Sequence, residues 1–208
     1  MYYIKRTKNL LCWMLSLFLL ASCSSGRKQE SPTSNIPQNN QTPASQETLN
    51  NELGLYRQAI TELNNNELDK AEQSFTKMTE LHPDLAGPWA NLALVYLKQE
   101  HMEKAEENIQ IALQKNPDMP QALNLAGYIE NQKGEINQAK SFYEKAIKNK
   151  PDYALAHYNL ALLYDIYLQD IPKAVQHYEQ YLSLIKVEDS KTKSWVEELR
   201  LNMKSDNT

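Results

Sequence analysis

The side chains able to do chemistry are few and scattered in this chain, apart from Cys23, which closes the run Leu20-Ala21-Ser22-Cys23. There are two cysteines, Cys12 and Cys23, and four histidines, His82, His101, His157 and His177. The histidines form no i, i+4 pair and have no cysteine neighbour at ligand spacing, so no metal ligands are assigned. No glycine-rich phosphate loop and no G-x-S-x-G elbow occurs. Carboxylates are plentiful, but they recur beside lysines at helical spacing, as with Glu103, Lys104 and Glu107, which is the pattern of a solvated helix face. General acid-base work needs carboxylates that converge on a pocket, and the sequence singles out none. The expectation is no catalytic residue, no metal and no small-molecule substrate. The Cys23 thiol remains as the one candidate nucleophile.

What precedes Cys23 explains its placement. Lys5, Arg6 and Lys8 form a positive start, and Leu10 to Ala21 form an apolar stretch well short of the ~20 residues that span a membrane. Residues 1–22 therefore read as an export signal. The run Leu-Ala-Ser-Cys resembles the lipobox of bacterial lipoproteins. That resemblance implies removal of the leader, diacylglycerol on the Cys23 sulfur and an acyl group such as palmitate on the new amino terminus, with no other cofactor. One acyl chain anchors marginally and two or more anchor stably, which fits such a modification. Lipoproteins of this kind retained in the inner membrane tend to carry Asp after the lipidated cysteine, and Ser24 stands there. The resemblance thus implies the outer membrane, with the domain on its periplasmic face.

Composition narrows the rest. Of 208 residues about 185 follow the leader, enough for one domain. The mature chain has no thiol pair left for an internal disulfide, so packing must stabilise it. The chain carries 22 basic and 26 acidic residues; without the three basic leader residues this becomes 19 against 26, a net of −7. Such a balance argues against nucleic acid, whose binding is dominated by phosphate neutralisation. It also argues against a domain lying flat on anionic lipid. Five glycines against abundant Ala, Leu, Lys, Glu and Gln is the composition of an all-α protein. From Ser24 to about residue 50 the chain is Ser, Gln, Asn, Pro and Thr with Ile36 as its one β-branched apolar residue, so 23–50 is expected to be a disordered tether. A flexible tether of that length reaches roughly 25 to 30 Å.

From about Glu52 the chain repeats itself. Ala71, Ala105 and Ala139 are 34 residues apart, as are Phe75, Ile109 and Tyr143, and as are Pro83, Pro117 and Pro151, each followed by Asp. Ala59, Ala93, Gly127 and Ala161 supply small residues on the facing helices. Small residues let paired helices approach closely, and each Pro stops a helix so that the next unit begins in register. This 34-residue helix-turn-helix unit resembles the tetratricopeptide repeat. The resemblance implies a right-handed superhelix of about four repeats, 52–85, 86–119, 120–153 and 154–188, within a domain over 51–188. The fourth repeat runs one residue long, with the insertion expected around Leu168 to Ile171. Residues 189–208 carry Trp195, Val196, Leu199 and Met203 on one face and read as a capping helix over the last repeat.

In tetratricopeptide domains the first helix of each repeat lines a concave groove that holds a peptide or partner helix. Carried onto this chain, that implies groove positions at Tyr56 and Arg57; Asn91, Leu94 and Lys98; Asn124 and Tyr128; and Tyr158, Asn159 and Leu162. Asn91 and Asn159 occupy positions where family members use Asn to hold a ligand backbone. The build is similar to that of type IV pilus pilotins and other outer-membrane repeat lipoproteins. It implies a non-enzymatic scaffold bound to the membrane by its lipid and to an envelope protein by its groove. The rival readings are a self-associating envelope spacer and a hydrolase with an unrecognised site.

Overall fold

A computed structural model describes residues 43–205, with side chains from 51 to 203. Cys23, the leader and most of the expected tether lie outside the described residues. Every described element is helical: α1 (Pro43–Asn64), α2 (Leu68–Leu81), α3 (Ala86–Lys98), α4 (Met102–Lys115), α5 (Pro120–Lys133), α6 (Ile136–Asn149), α7 (Ala154–Leu163), α8 (Ile171–Leu184) and α9 (Ser190–Ser205). A π-helical turn, Tyr164–Leu168, follows α7. None of these helices is long and apolar enough to cross a membrane.

The described residues divide into two compact units, one ending at Ala71 and the other beginning at Glu72. In the first, α1 begins at Pro43, inside the segment expected to be tether up to residue 50. Pro fits the first helical position, where its missing N–H is not needed. Ala44, Gln46, Glu47 and Leu49 are good helix formers, so a helix already nucleated downstream extends through them at little cost. Composition signalled low apolar content there, and helix propagation overrode it. Ala59 and Ala71 are fully buried, and the buried carboxyl of Glu62 is held by Gln58 Nε2 at 2.8 Å.

In the second unit the helices pack as consecutive pairs, α3 with α4, α5 with α6 and α7 with α8, and α9 packs on α8. The small positions that spacing predicts at the crossings are interior: Ala93, Ala105, Ala139, Ala161 and Ala174 are fully buried. Gly127 shows why size matters. A methyl group there would sit 2.7 Å from Cε1 and 2.8 Å from Cδ1 of Tyr143, a ring only 1% exposed with nowhere to turn. Where repeat two places Ile109, repeat three places the larger Tyr143, and the facing residue shrinks from Ala93 to Gly127. Successive repeats are joined by an apolar seam in which Leu123, Ala146 and Ala156 are covered by Leu113, Phe142, Ile147 and Tyr153. Outside the seam the Pro-Asp turns are pinned by the following repeat. Lys115 Nζ lies 3.2 Å from Asp84, Lys145 Nζ donates to the Pro117 carbonyl at 2.8 Å, and Asn149 Nδ2 donates to the Asp118 carbonyl at 3.0 Å.

Each turn between first and second helices contains one left-handed residue: Asn66 (φ 61°), Glu100 (φ 64°), Gly134 (φ 83°) and Gln169 (φ 54°). At Glu100 the backbone closes with Glu100 N to Leu97 O at 3.1 Å and His101 N to Tyr96 O at 2.8 Å. The turn at Gly134 repeats that pattern through Asn131 O and Glu130 O. These are the bonds of a Schellman ending. In the fourth repeat the extra residue is absorbed earlier than the turn at Leu168 to Ile171. The helix widens by one residue per turn over Tyr164–Leu168, and Asp170 N reaches back to Tyr164 O at 3.0 Å. A π turn accommodates an insertion without breaking backbone hydrogen bonding, so the following helix keeps its face.

Two stability changes follow. Gly127→Ala should lower unfolding free energy by about 1–3 kcal/mol in urea titration, with Tyr143→Leu in the same chain restoring part of it. Glu100→Gly should raise it by roughly 1 kcal/mol, because glycine adopts the left-handed conformation without the side-chain clash.

Candidate functional site: the inner face of the first helices

The first helices of successive repeats in the second unit, α3, α5 and α7, approach one another, and the second helices do so less. The first helices therefore form the inner layer. Their composition differs sharply from that of the second helices. Lys98 is the charged residue of α3, Glu130 and Lys133 are those of α5, and α7 has no Asp, Glu, Lys or Arg. By contrast α4 carries Glu103, Lys104, Glu106, Glu107 and Lys115, and α6 carries Lys140, Glu144, Lys145 and Lys148. On α5 the charges are also spent locally, since Lys133 Nζ lies 2.8 Å from Glu106 and 3.3 Å from Glu130. What the inner layer offers is amide, aliphatic and tyrosine surface.

Of the ten groove residues expected from sequence, seven are at least partly open. Tyr56 is half-buried and Arg57 exposed on α1, in the first unit. Asn91 and Lys98 on α3, Tyr128 on α5, and Asn159 and Leu162 on α7 are half-buried. The other three are interior. Leu94 is 6%, Asn124 1% and Tyr158 4% exposed, so in the free chain they are packing residues and not contact residues. Each has a reason. Asn124 accepts a hydrogen bond from Asn159 Nδ2 at 2.9 Å, so these two amides join α7 to α5. Asn159 therefore holds a neighbouring repeat where a ligand backbone was expected. Tyr158 packs edge-on against Tyr178 at 5.7 Å and Tyr181 at 4.9 Å, both on α8. Burial is the main cause that pushes its phenol up to about 12. The 34-residue spacing carries no information on which neighbouring helix closes over a position.

A second constellation was not legible in the spacing. Asp165, in the π turn, accepts from Trp195 Nε1 at 2.7 Å and from Tyr178 Oη at 3.2 Å, both at Oδ2. Burial raises its pKa, and the two donors pull the other way. Asp189 caps α9, accepting from Thr192 N at 3.0 Å and Thr192 Oγ1 at 2.7 Å, and from Tyr181 Oη at 3.1 Å. The capping helix is thus held by two carboxylates besides its buried Val196 and Leu199. The signal for Asp189 was present in the Asp-x-x-Thr that opens the helix. Asp165 had none, because the inserted turn aims it. Trp89 Nε1 donates to the Pro83 carbonyl at 3.0 Å and Trp195 to Asp165, so these two of the chain's three tryptophans tie elements together.

With this geometry the comparisons with known proteins agree. Residues 90–139 match a family model described as tetratricopeptide repeat, and residues 127–165 match one described as TPR repeat. The human protein O-mannosyl-transferase TMTC1 (Homo sapiens) is 35% identical over 101 residues, covering 46% of this chain and 11% of that protein. The chain thus spans about a tenth of that relative's length. Among solved structures, pilF of Pseudomonas aeruginosa gives a TM-score of 0.66 at 18% identity, covering 74% of this chain and 69% of that one. The first TPR domain of Spaghetti (RPAP3), bound to an HSP90 peptide, gives a TM-score of 0.51 at 20% identity, covering 55% and 90%. At such identities the structures speak for the fold alone. Residues 90–165 of this chain are tetratricopeptide repeats, and the all-α repeat architecture expected from sequence is the one observed.

Asp165→Ala leaves the Tyr178 hydroxyl and the Trp195 indole without an acceptor. It should cost about 1–3 kcal/mol in urea titration and shift tryptophan emission to longer wavelength as α9 loosens.

Proposed function

We propose that this chain is a non-enzymatic scaffold, anchored by lipid on Cys23 to the periplasmic face of the outer membrane, that binds an envelope protein through the inner layer of its repeats. The observation that carries the binding surface is the segregation of charge. On a chain with 22 basic and 26 acidic residues, α3, α5 and α7 offer mainly amide, aliphatic and tyrosine side chains at their half-buried positions. Charged residues would be expected there if that layer faced only water. Tyrosine and amide side chains supply broad contact and hydrogen bonds at modest entropic cost. The peptide held by the RPAP3 domain supports protein or peptide binding as the mode for such a layer. The lipid anchor and its membrane rest on the run Leu20-Ala21-Ser22-Cys23 and on Ser24. They set where the scaffold works, and the inner layer sets what it holds.

Two measurements test the two halves separately. Cys23→Ser should abolish incorporation of radiolabelled palmitate and release the chain from the membrane fraction; a variant that stays membrane-bound without label removes the anchor reading. In crosslinked envelopes, Asn91→Ala with Tyr128→Ala and Leu162→Ala should lose a protein that the natural chain captures. An unchanged set of captured proteins, with the variant folded by circular dichroism, moves binding away from the inner layer.

A further inference from the structure

Tertiary structure brings together two histidines that the sequence keeps 20 residues apart. His157 on α7 is 6% exposed, and His177 on α8 is half-buried. Their Nδ1 atoms lie 3.1 Å apart, and Nε2 of His157 lies 3.0 Å from the Pro151 carbonyl oxygen in the turn between α6 and α7. A carbonyl only accepts, so Nε2 of His157 carries that ring's proton and its Nδ1 presents a lone pair. The Nδ1 of His177 is then the donor. With ring centroids 5.3 Å apart, the imidazoles meet nearly head to head across this N–H···N bond, unlike two ligands splayed around one metal ion.

Aromatic and charged groups of three elements surround the pair. Tyr164 of the π turn stacks on His177 at 5.8 Å with 8° between the planes. Lys140 of α6 and Lys173 of α8 approach the Tyr164 ring at 6.0 and 5.2 Å. Two carboxylates offset these cations: Glu144 of α6 lies 3.3 Å from Lys140 and accepts from Tyr164 Oη at 3.4 Å, and Asp170 pairs with Lys173. Lys150 and Asp152 flank the Pro151 carbonyl and are partly or fully exposed to solvent.

We propose that the His157–His177 pair is a proton-sensitive latch, which holds α7, α8 and the α6–α7 turn together at neutral pH and releases them on acidification. A proton added to Nδ1 of His157 sets two N–H groups against each other with no acceptor between them. A proton added to Nε2 of His177 creates an imidazolium half-buried against Tyr164. Burial first, and then the neighbouring His157, hold His177 down to about 4, with Glu144 acting in the opposite sense. Once the latch opens, His177 regains an ordinary value near 6.5. The open form therefore binds more protons between these limits. The advantage of the closed form is complete above about pH 6.5 and is lost as the pH falls toward about 4. One extra proton changes the opening constant by about tenfold per pH unit. Because α7 also carries Asn159 and Leu162, the order of the last third of the inner layer becomes dependent on pH.

The test uses the full-length chain. Nitrogen-15 histidine spectra at pH 7.5 should show His157 as the Nε2–H tautomer and His177 as the Nδ1–H tautomer. Amide exchange, corrected for intrinsic rate, should quicken up to tenfold per pH unit below 6.5 in residues 154–184, while residues 86–133 keep their protection. His177→Phe, which keeps the stack on Tyr164, should flatten that regional pH response. The proposal is overturned by His177 titrating near 6.5 with a uniform exchange response across repeats, or by an unchanged regional response in His177→Phe. Should that variant not fold, the tautomers and exchange of the natural chain decide the matter by themselves.

Discussion

The close crossing of paired helices is the constraint on which the second unit depends. Ala93 with Ala105, Gly127 with Ala139 and Ala161 with Ala174 are small because the helices bearing them pack without room for more. Everything else is adjusted to that separation. Repeat three compensates the bulk of Tyr143 by dropping the facing side chain to hydrogen, and repeat four absorbs an extra residue in a π turn so that Ala174 and Tyr178 still reach their places. Interiors packed at crystal-like density transmit a misfit of a single methyl group, which is why the period survives while the identities of larger side chains vary.

Once paired, the helices sort their polar groups by layer. Second helices carry the charges, which reach back to pin the preceding Pro-Asp turn, as Lys115 does to Asp84 and Lys145 to Asp118. Such exposed contacts are individually weak, so the apolar seam around Leu123 and Ala146 supplies the cohesion and the polar contacts supply register. First helices, relieved of that task, present amides and tyrosines. The proposed function and the mechanical design therefore share one origin, the division of labour between two helices of a repeat.

The fourth repeat departs from this plan in an informative way. It has no terminal Pro, and its charged contact, Arg200 with Glu179, runs to the cap and not to a Pro-Asp turn. Beside its apolar core it is held by largely covered polar groups: the amide bridge from Asn159 to Asn124, the carboxylate of Asp165 under Trp195, and the histidine pair. Buried polar contacts are directional and are costly when left unmet, so they fix one arrangement of the last repeat and its cap more tightly than apolar packing alone would. They also make that end of the domain the part whose packing depends on protonation.

The residues themselves determined the period, the small positions at each crossing, the helix stops and the existence of a capping helix, because these depend on local spacing and on one-residue properties such as size and a missing N–H. Lipid attachment at Cys23 is likewise readable only as a linear motif and stands as a proposal. Tertiary structure decided the rest. Leu94, Asn124 and Tyr158 are interior, Asn124 bonded to α7 and Tyr158 packed on α8 of its own repeat, since burial depends on which helices close over a position and not on phase along one helix alone. The start of α1 at Pro43 depended on propagation from residues downstream. His157 and His177, or Asp165 and Trp195, become partners only because a 34-residue unit folds back on itself and a π turn sets the angle. No spacing rule along the chain encodes a contact made by two helices closing on each other.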